Sequence, residues 1–147
     1  MEITYQLHDT IPNEKLLEGI LKLYSDIFDS SADVLLNKMK AKPNLLYNLA
    51  LDGQKVVGFK IGYEIDESTF YSWLGGVAPH YRNRGIALAL MKQQHDYLRK
   101  SGYKKVQTKT MNKWRGMLLL NIKYGFDVIE TYHDEKGRHK ILLEKKL

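Results

Sequence analysis

The sequence predicts an α/β (α+β) fold in which helices pack on one mixed sheet. Two patterns carry this. In the second half, strand-like apolar runs alternate with segments of helical period. In the first half, strand-like runs are joined into hairpins by short turn signals. A third observation bears on domain count. No linker, repeat or low-complexity stretch interrupts the 147 residues, which predicts a single domain over 1–147 with its own core.

Residues 3–7 read as the first strand. Ile11-Pro12-Asn13-Glu14 opens a helix, with Pro12 in its first turn, where a missing N–H costs little. Leu16, Ile20, Leu23, Tyr24 and Ile27 recur at helical spacing and define its buried face. Ser30-Ser31 caps a second short helix over 32–40, and Pro43 ends it. Residues 44–51 and 55–65 form a hairpin about Asp52-Gly53, a pair suited to the positive φ of a tight turn. Asp66-Glu67-Ser68 turns the chain into a strand over 69–77.

A long helix follows, from about Gly85 to Ser101. Its spacing buries Ala87, Leu90, Met91, Gln94 and Leu98 and exposes Lys92, Gln93, Asp96, Arg99 and Lys100. Gly102 stops it. Residues 105–110 read as a strand and 112–124 as a helix that Gly125 ends. A last hairpin, 126–131 and 139–144, turns at Glu135-Lys136-Gly137.

Composition narrows the function classes. Hydrophobic residues make up 44% and charged residues 27%, as in ordinary globular proteins. The absence of cysteine excludes disulfides, cysteine-based zinc sites and a thiol nucleophile. His80, His95, His133 and His139 are scattered without ligand spacing, so no metal is predicted. The N-terminus lacks the pattern of a signal peptide, and no run approaches the ~20 apolar residues a bilayer requires. The expectation is a cytoplasmic protein without a membrane partner. The net charge of +6 divides into −4 over residues 1–75 and +10 over 76–147. A basic half suits a polyanionic partner or a plain solvated surface. The scattered lysines and the lack of a nucleic-acid motif argue against nucleic acid. Nothing in the pattern decides the oligomeric state, and a homodimer stays open.

The most informative stretch is Arg82-Asn83-Arg84-Gly85-Ile86-Ala87, between an apolar strand and the long helix. A helix N-terminus offers free N–H groups and the positive end of its dipole to an anion, and two arginines add charge. Neither Gly-x-x-x-x-Gly-Lys-Ser/Thr nor Gly-x-Gly-x-x-Gly is present, which argues against a P-loop or a dinucleotide fold.

Arg82-x-x-Gly85-x-Ala87 resembles motif A of the GNAT N-acetyltransferase superfamily, Gln/Arg-x-x-Gly-x-Gly/Ala. Val77-Ala78-Pro79-His80-Tyr81 is similar to its Val-x-Pro-x-Tyr lead-in. Tyr124-Gly125-Phe126 matches its x-Gly-Phe close, with Asn112 at the head of the intervening helix. The resemblance implies a mostly antiparallel sheet of six to seven strands flanked by about four helices, with central strands 70–77 and 105–110 splayed apart. It implies acetyl-CoA as cosubstrate, its pyrophosphate held by Arg82, Arg84, Gly85, Ile86, Ala87 and Leu88. Its pantetheine arm would hydrogen-bond the Val77 backbone and Asn112, an asparagine that also suits a helix cap. Lys113 and Arg115 would reach the phosphates or stay solvated. Gly75-Gly76 would suit a bulge or merely relieve packing.

Amine acetylation requires a neutral amine, a polarised thioester and a proton for the leaving thiolate. Glu64 is the preferred base over Asp66 and Glu67, or else an exposed strand-end charge. Many members of the superfamily carry a Tyr acid five residues before the closing Phe; here that position is Asn121, which can only orient water or bind the cofactor. Tyr124, three residues on, reaches the cofactor or packs. Tyr63, Tyr71, Trp73 and Trp114 line an acceptor cleft or fill the core. The acidic first half would draw a cationic amine through Asp29, Asp33, Glu64 and Asp66. The resemblance thus implies direct transfer of acetyl from acetyl-CoA to a primary amine of a small molecule, amino acid or peptide. The altered Tyr position leaves a silent acyl-CoA-binding sensor as the alternative.

Overall fold

The computed structural model describes residues 2–42 and 44–147. Seven strands form one sheet: β1 (Ile3–His8), β2 (Leu46–Asp52), β3 (Lys55–Asp66), β4 (Thr69–Val77), β5 (Lys105–Thr110), β6 (Asp127–His133) and β7 (His139–Lys146). Their order is β1-β2-β3-β4-β5-β7-β6. Every neighbouring pair is antiparallel except β4 and β5. Four α-helices accompany them: α1 (Glu14–Phe28), α2 (Ala32–Lys40), α3 (Ile86–Lys100) and α4 (Arg115–Lys123). The mixed, mostly antiparallel fold expected from the sequence is the one observed. No helix among the described residues is long and apolar enough to cross a membrane.

Local chemistry explains most boundaries. The Asn13 side chain caps α1 by accepting from the Leu16 N–H, so Pro12 lies just outside the helix rather than in its first turn. Ser31 caps α2 through the Asp33 N–H, as its sequence predicts. Pro43, expected to end α2, lies outside the described residues. The β2–β3 loop is Gly53-Gln54, because Asp52 already pairs with Lys55; Gly53 carries the positive φ, 60°. Helix α4 starts at Arg115, three residues later than expected. Residues 111–114 form a turn closed by Trp114 N–H to Met111 O, so Asn112 is not its cap.

The core has two clusters. Ile20, Leu23, Leu35 and Met39 of α1 and α2 pack with Leu49, Phe59, Ile61 and Val77 of the sheet. Met91 and Leu98 of α3 pack with Phe70, Val106, Phe126 and Leu143, with Leu118 and Leu120 of α4 against them. The buried stripe of α3 differs from the predicted one: Ala87 is only half-buried. The stripe includes Ile86 and His95, because a helix lying on a sheet covers more than one row of side chains.

The β4–β5 pairing sets up the site. It runs only from Thr69↔Lys105 to Ser72↔Thr108, and the Thr108 hydroxyl donates to the Ser72 carbonyl at 2.9 Å. Beyond that point β4 continues through 73–77 with no partner on this side. The register with β3 jumps there: Ile61 pairs with Leu74 and Gly62 with Ser72, leaving Trp73 as the extra residue. The bulge is therefore at Trp73. Gly75 and Gly76 pair regularly with Lys60 and Phe59. Gly76 serves packing instead, since a Cβ there would lie 2.8 Å from Ile27 Cδ1 of α1.

Candidate functional site

The unpaired part of β4 and the start of α3 form one continuous feature. The Ala78 N–H bonds the Val57 carbonyl at 2.8 Å, toward β3. Backbone groups alternate sides along a strand, so Val77 and Gly75 direct theirs to the opposite edge, where β5 has left. After a short 3₁₀ turn, Pro79–Tyr81, Asn83 and Gly85 take left-handed conformations, φ 62° and 78°, and α3 begins. The first helical bond runs from Ala89 N–H to Gly85 O. The N–H groups of Ile86, Ala87 and Leu88 thus have no acceptor within the helix, no side chain caps them, and no acidic residue sits in the first turn. A Cβ on Gly85 would meet nothing within 4 Å, so the space over the turn is open.

The turn is braced from both ends. Arg82 Nε donates to the Val77 carbonyl at 3.0 Å. Tyr81 donates its hydroxyl to Asp52 at 2.6 Å, and the Arg84 guanidinium lies 5.5 Å from the Tyr81 ring. This places Arg82, Arg84, Gly85, Ile86, Ala87 and Leu88 together at the end of the strand edge that Val77 closes. Bare N–H groups with two guanidinium groups suit a phosphate group. An unpaired strand edge suits an extended chain of amides. A phosphate-bearing ligand with an amide arm, as in acetyl-CoA, fits both.

The other predicted residues scatter. Asn112 is exposed in the turn between β5 and α4. Asn121 is buried in α4, and its Oδ1 has no hydrogen-bond partner. Tyr124 packs half-buried against the α3 cluster. Glu64 is not brought to the gap. It pairs with Phe70, where β4 and β5 are still joined, and accepts a 2.7 Å hydrogen bond from the Tyr103 hydroxyl. Desolvation, followed by that carboxylate, raises the Tyr103 phenol to about 12. Asp66 is held in its own turn by the Ser68 N–H and hydroxyl, and the Ser68 backbone bond lowers its carboxyl pKa.

On the face of the sheet that carries α1, the gap opens beside aromatic rings. Tyr63 meets Tyr71 edge-on at 5.4 Å and Trp73 at 6.1 Å. Lys42 Nζ lies 4.4 Å from the Tyr63 ring and 5.0 Å from Trp73, and Lys109 Nζ lies 5.8 Å from Tyr71 and 5.6 Å from Tyr132. Lysines, rather than the expected carboxylates Glu64 and Asp66, stand against these rings. Phe28 meets Trp114 at 5.5 Å, so Trp114 contacts the end of α1.

Sequence reasoning passed over Lys60. It is 8% exposed, and desolvation lowers its amine to about 8. No local pattern marks it, although apolar neighbours on both sides in β3 suggest a strand buried on both faces. Among the described residues no group of three or more His, Asp or Glu could hold a metal ion.

The sequence model of the Acetyltransferase (GNAT) family matches residues 13–115. The chain belongs to that family. Solved structures share the fold over nearly the full length of both chains. Ard1 from Thermoplasma volcanium is 16% identical, with 97% of each chain covered and a TM-score of 0.82. A GNAT family acetyltransferase from Elizabethkingia anophelis with acetyl-CoA bound is 23% identical, covering 99% of this chain and 98% of its own, with a TM-score of 0.74. The ribosomal-protein-S18-alanine N-acetyltransferase from Escherichia coli is 16% identical, covering 97% and 94%, with a TM-score of 0.78. No curated protein matches the chain by sequence.

Proposed function

We propose that this protein is an N-acetyltransferase that moves acetyl from acetyl-CoA to a primary amine by direct attack. One observation carries the reading: the uncapped N-terminus of α3, flanked by Arg82 and Arg84, stands at the end of the unpaired β4 edge. The family supports acetyl transfer. The relatives whose names include bound acetyl-CoA or alanine N-acetylation support this donor and this kind of acceptor.

The Ile86, Ala87 and Leu88 N–H groups and the arginines would hold the pyrophosphate, while the outward backbone of 73–77 would align the arm. A backbone N–H at the strand edge near Val77 would polarise the thioester carbonyl, as an oxyanion contact does. The amine would approach from the aromatic face of Tyr63, Tyr71 and Trp73. As its nitrogen bonds the acetyl carbon, the carbon–sulfur bond breaks and the thiolate leaves with the electron pair. The chain has no cysteine to carry the acetyl group, which supports direct transfer. Glu64, bound to Tyr103 away from the gap, would act as base only through water.

The test is acetyl-CoA affinity by calorimetry together with thiol release against a panel of small amines, amino acids and peptides. Binding with amine-dependent thiol release supports the reading. Binding with no release across the panel favours a silent acyl-CoA-binding protein, for which Asn121 in place of a Tyr acid speaks. Absence of binding sinks both.

A further inference from the structure

Lys60 is a lysine buried in the sheet with no anion beside it. It pairs across β3 with Asn48 of β2 and Gly75 of β4. It shares the α3 face with Gly58, whose Cβ position lies against Ile86 and Leu90. No hydrogen bond or ion pair to its Nζ forms among the described residues. The buried residues described include no Asp or Glu. The polar groups on this face are neutral. Asn48 donates to Gln93 at 2.8 Å, Gln94 donates to Ser72 at 3.4 Å, and the Asn48 Oδ1 and Gln94 Oε1 atoms lack partners.

A buried charge normally has a partner, because desolvation without one costs several kcal/mol. The direction of the side chain suggests the missing partner. Lys60 lies across Gly75: a Cβ there would be 3.7 Å from Nζ and 3.8 Å from Cγ. Gly75 also directs its backbone to the open edge where β5 has departed. Gly75, the β4 residue that Lys60 lies across, thus puts no side chain between the ammonium and that edge.

We propose that Lys60 supplies the positive charge that receives the thiolate leaving group in the gap, in the place of the acid that Asn121 cannot be. The inference rests on the acetyl-CoA reading above. The amine nitrogen bonds the acetyl carbon, the carbon–sulfur bond breaks, and sulfur keeps the electron pair. The Lys60 ammonium stabilises that anion or gives it a proton, and then regains one from the proton the amine has lost.

A lysine shifted to about 8 by desolvation stays mostly protonated at neutral pH and can give its proton to a thiolate, the ordinary value of a cysteine thiol being about 8.5. Desolvation alone lowers Lys60; the titratable group it couples to is His95 of α3, on which Lys145 of β7 and Arg99 of α3 also act. His95 is neutral because burial depresses it to about 3, and Lys145 and Arg99 are cations, so none of them supplies a counter-charge.

The test is the ionisation of the thiol of CoA bound to the protein, followed by thiolate ultraviolet absorbance across pH. In the native protein the midpoint should lie about one unit or more below that in Lys60→Met, and Lys60→Arg should keep the native value. If Lys60→Met does not fold, Gly75→Ala places a methyl in ordinary contact with Nζ and should move the midpoint in the same direction. CoA that binds the folded Lys60→Met or Gly75→Ala variant with an unchanged thiol midpoint would overturn this role and leave the acetyl-CoA reading intact. CoA that fails to bind the native protein would overturn both.

Discussion

Arg82 fastens the turn before α3 to the strand that feeds it: its Nε donates to the Val77 carbonyl at 3.0 Å. The bond fixes where the α3 N-terminus stands relative to the unpaired edge. Lysine keeps the charge but lacks the planar donor geometry of a guanidinium. Arg82→Lys should therefore weaken acetyl-CoA about tenfold with little change in urea midpoint, and Arg82→Met should weaken it further. Calorimetry and urea titration of the same samples check this. Equal affinity in all three proteins would mean that the bond does not hold the turn in place.

Two glycines separate folding from binding. A Cβ on Gly62 would lie 2.4 Å from the Tyr71 carbonyl oxygen and 2.4 Å from Phe70 Cε1. The carbonyl is main chain and has little room to yield, so Gly62→Ala should destabilise by about 2–4 kcal/mol. At Gly85 the space is open and only the left-handed φ of 78° resists, so Gly85→Ala should lose about 1 kcal/mol. Gly85→Glu should unfold at nearly the same urea concentration as Gly85→Ala but lose acetyl-CoA binding, because it sets a carboxylate over the proposed phosphate site. A folded Gly85→Glu with native affinity would remove the site from this turn.

Much of this architecture is legible in the sequence because it is written locally. Ser31 and Lys40 bracket α2 at the expected residues, and β4 and β5 occupy the expected ranges. The turn around Gly85 is legible for the same reason: its glycine, arginines and helix start are contiguous. Other features depend on residues far apart in the chain. The bulge falls at Trp73 rather than at the glycines because register with β3 decides it. Gly76 answers to Ile27, nearly fifty residues away. No contiguous motif marks Lys60; its burial comes only as β2, β4 and α3 close around it. Glu64 reads as available until Tyr103 reaches it.

Two buried bases, His95 and Lys60, contribute to the pH dependence of stability. The Lys145 ammonium donates to His95 Nδ1 at 3.2 Å, so the imidazole proton resides on Nε2, which has no partner. Desolvation first, then the cations Lys145, Lys60 and Arg99, lowers His95 to about 3. The unfolded chain takes up this proton near 6.5, so stability should fall as pH drops from 6.5 toward 3. His95→Leu should flatten that slope. Lys60, at about 8 when folded against 10.5 when unfolded, also binds its proton more weakly in the native state. Stability should therefore rise with pH between 8 and 10.5, by on the order of 3 kcal/mol at most. The tyrosines Tyr71 and Tyr103 are raised and oppose this above pH 10, so the window to measure is 8 to 10. Urea unfolding across that window should show a positive slope that Lys60→Met reduces, the part that remains coming from Lys140 and Lys145, whose amines burial also lowers.

Restoring a tyrosine at position 121 should not restore an acid. Asn121 is 2% exposed, and its backbone carbonyl accepts from the Phe126 N–H as α4 ends. Phe126, Leu118 and Leu120 belong to the packed cluster on this side of the sheet. A phenol ring adds several heavy atoms to a buried site, and overpacking of this kind costs about 1–3 kcal/mol. Asn121→Tyr should lower the urea midpoint and leave thiol release at or below the native rate. Asn121→Leu, which keeps the size and removes the unpartnered Oδ1, should be close to native in stability or slightly above it. If the leaving thiolate depends on Lys60, neither variant should shift the thiol midpoint of bound CoA. An Asn121→Tyr protein that folds normally and turns over at least about tenfold faster would instead place the acid on α4 and take that role from Lys60.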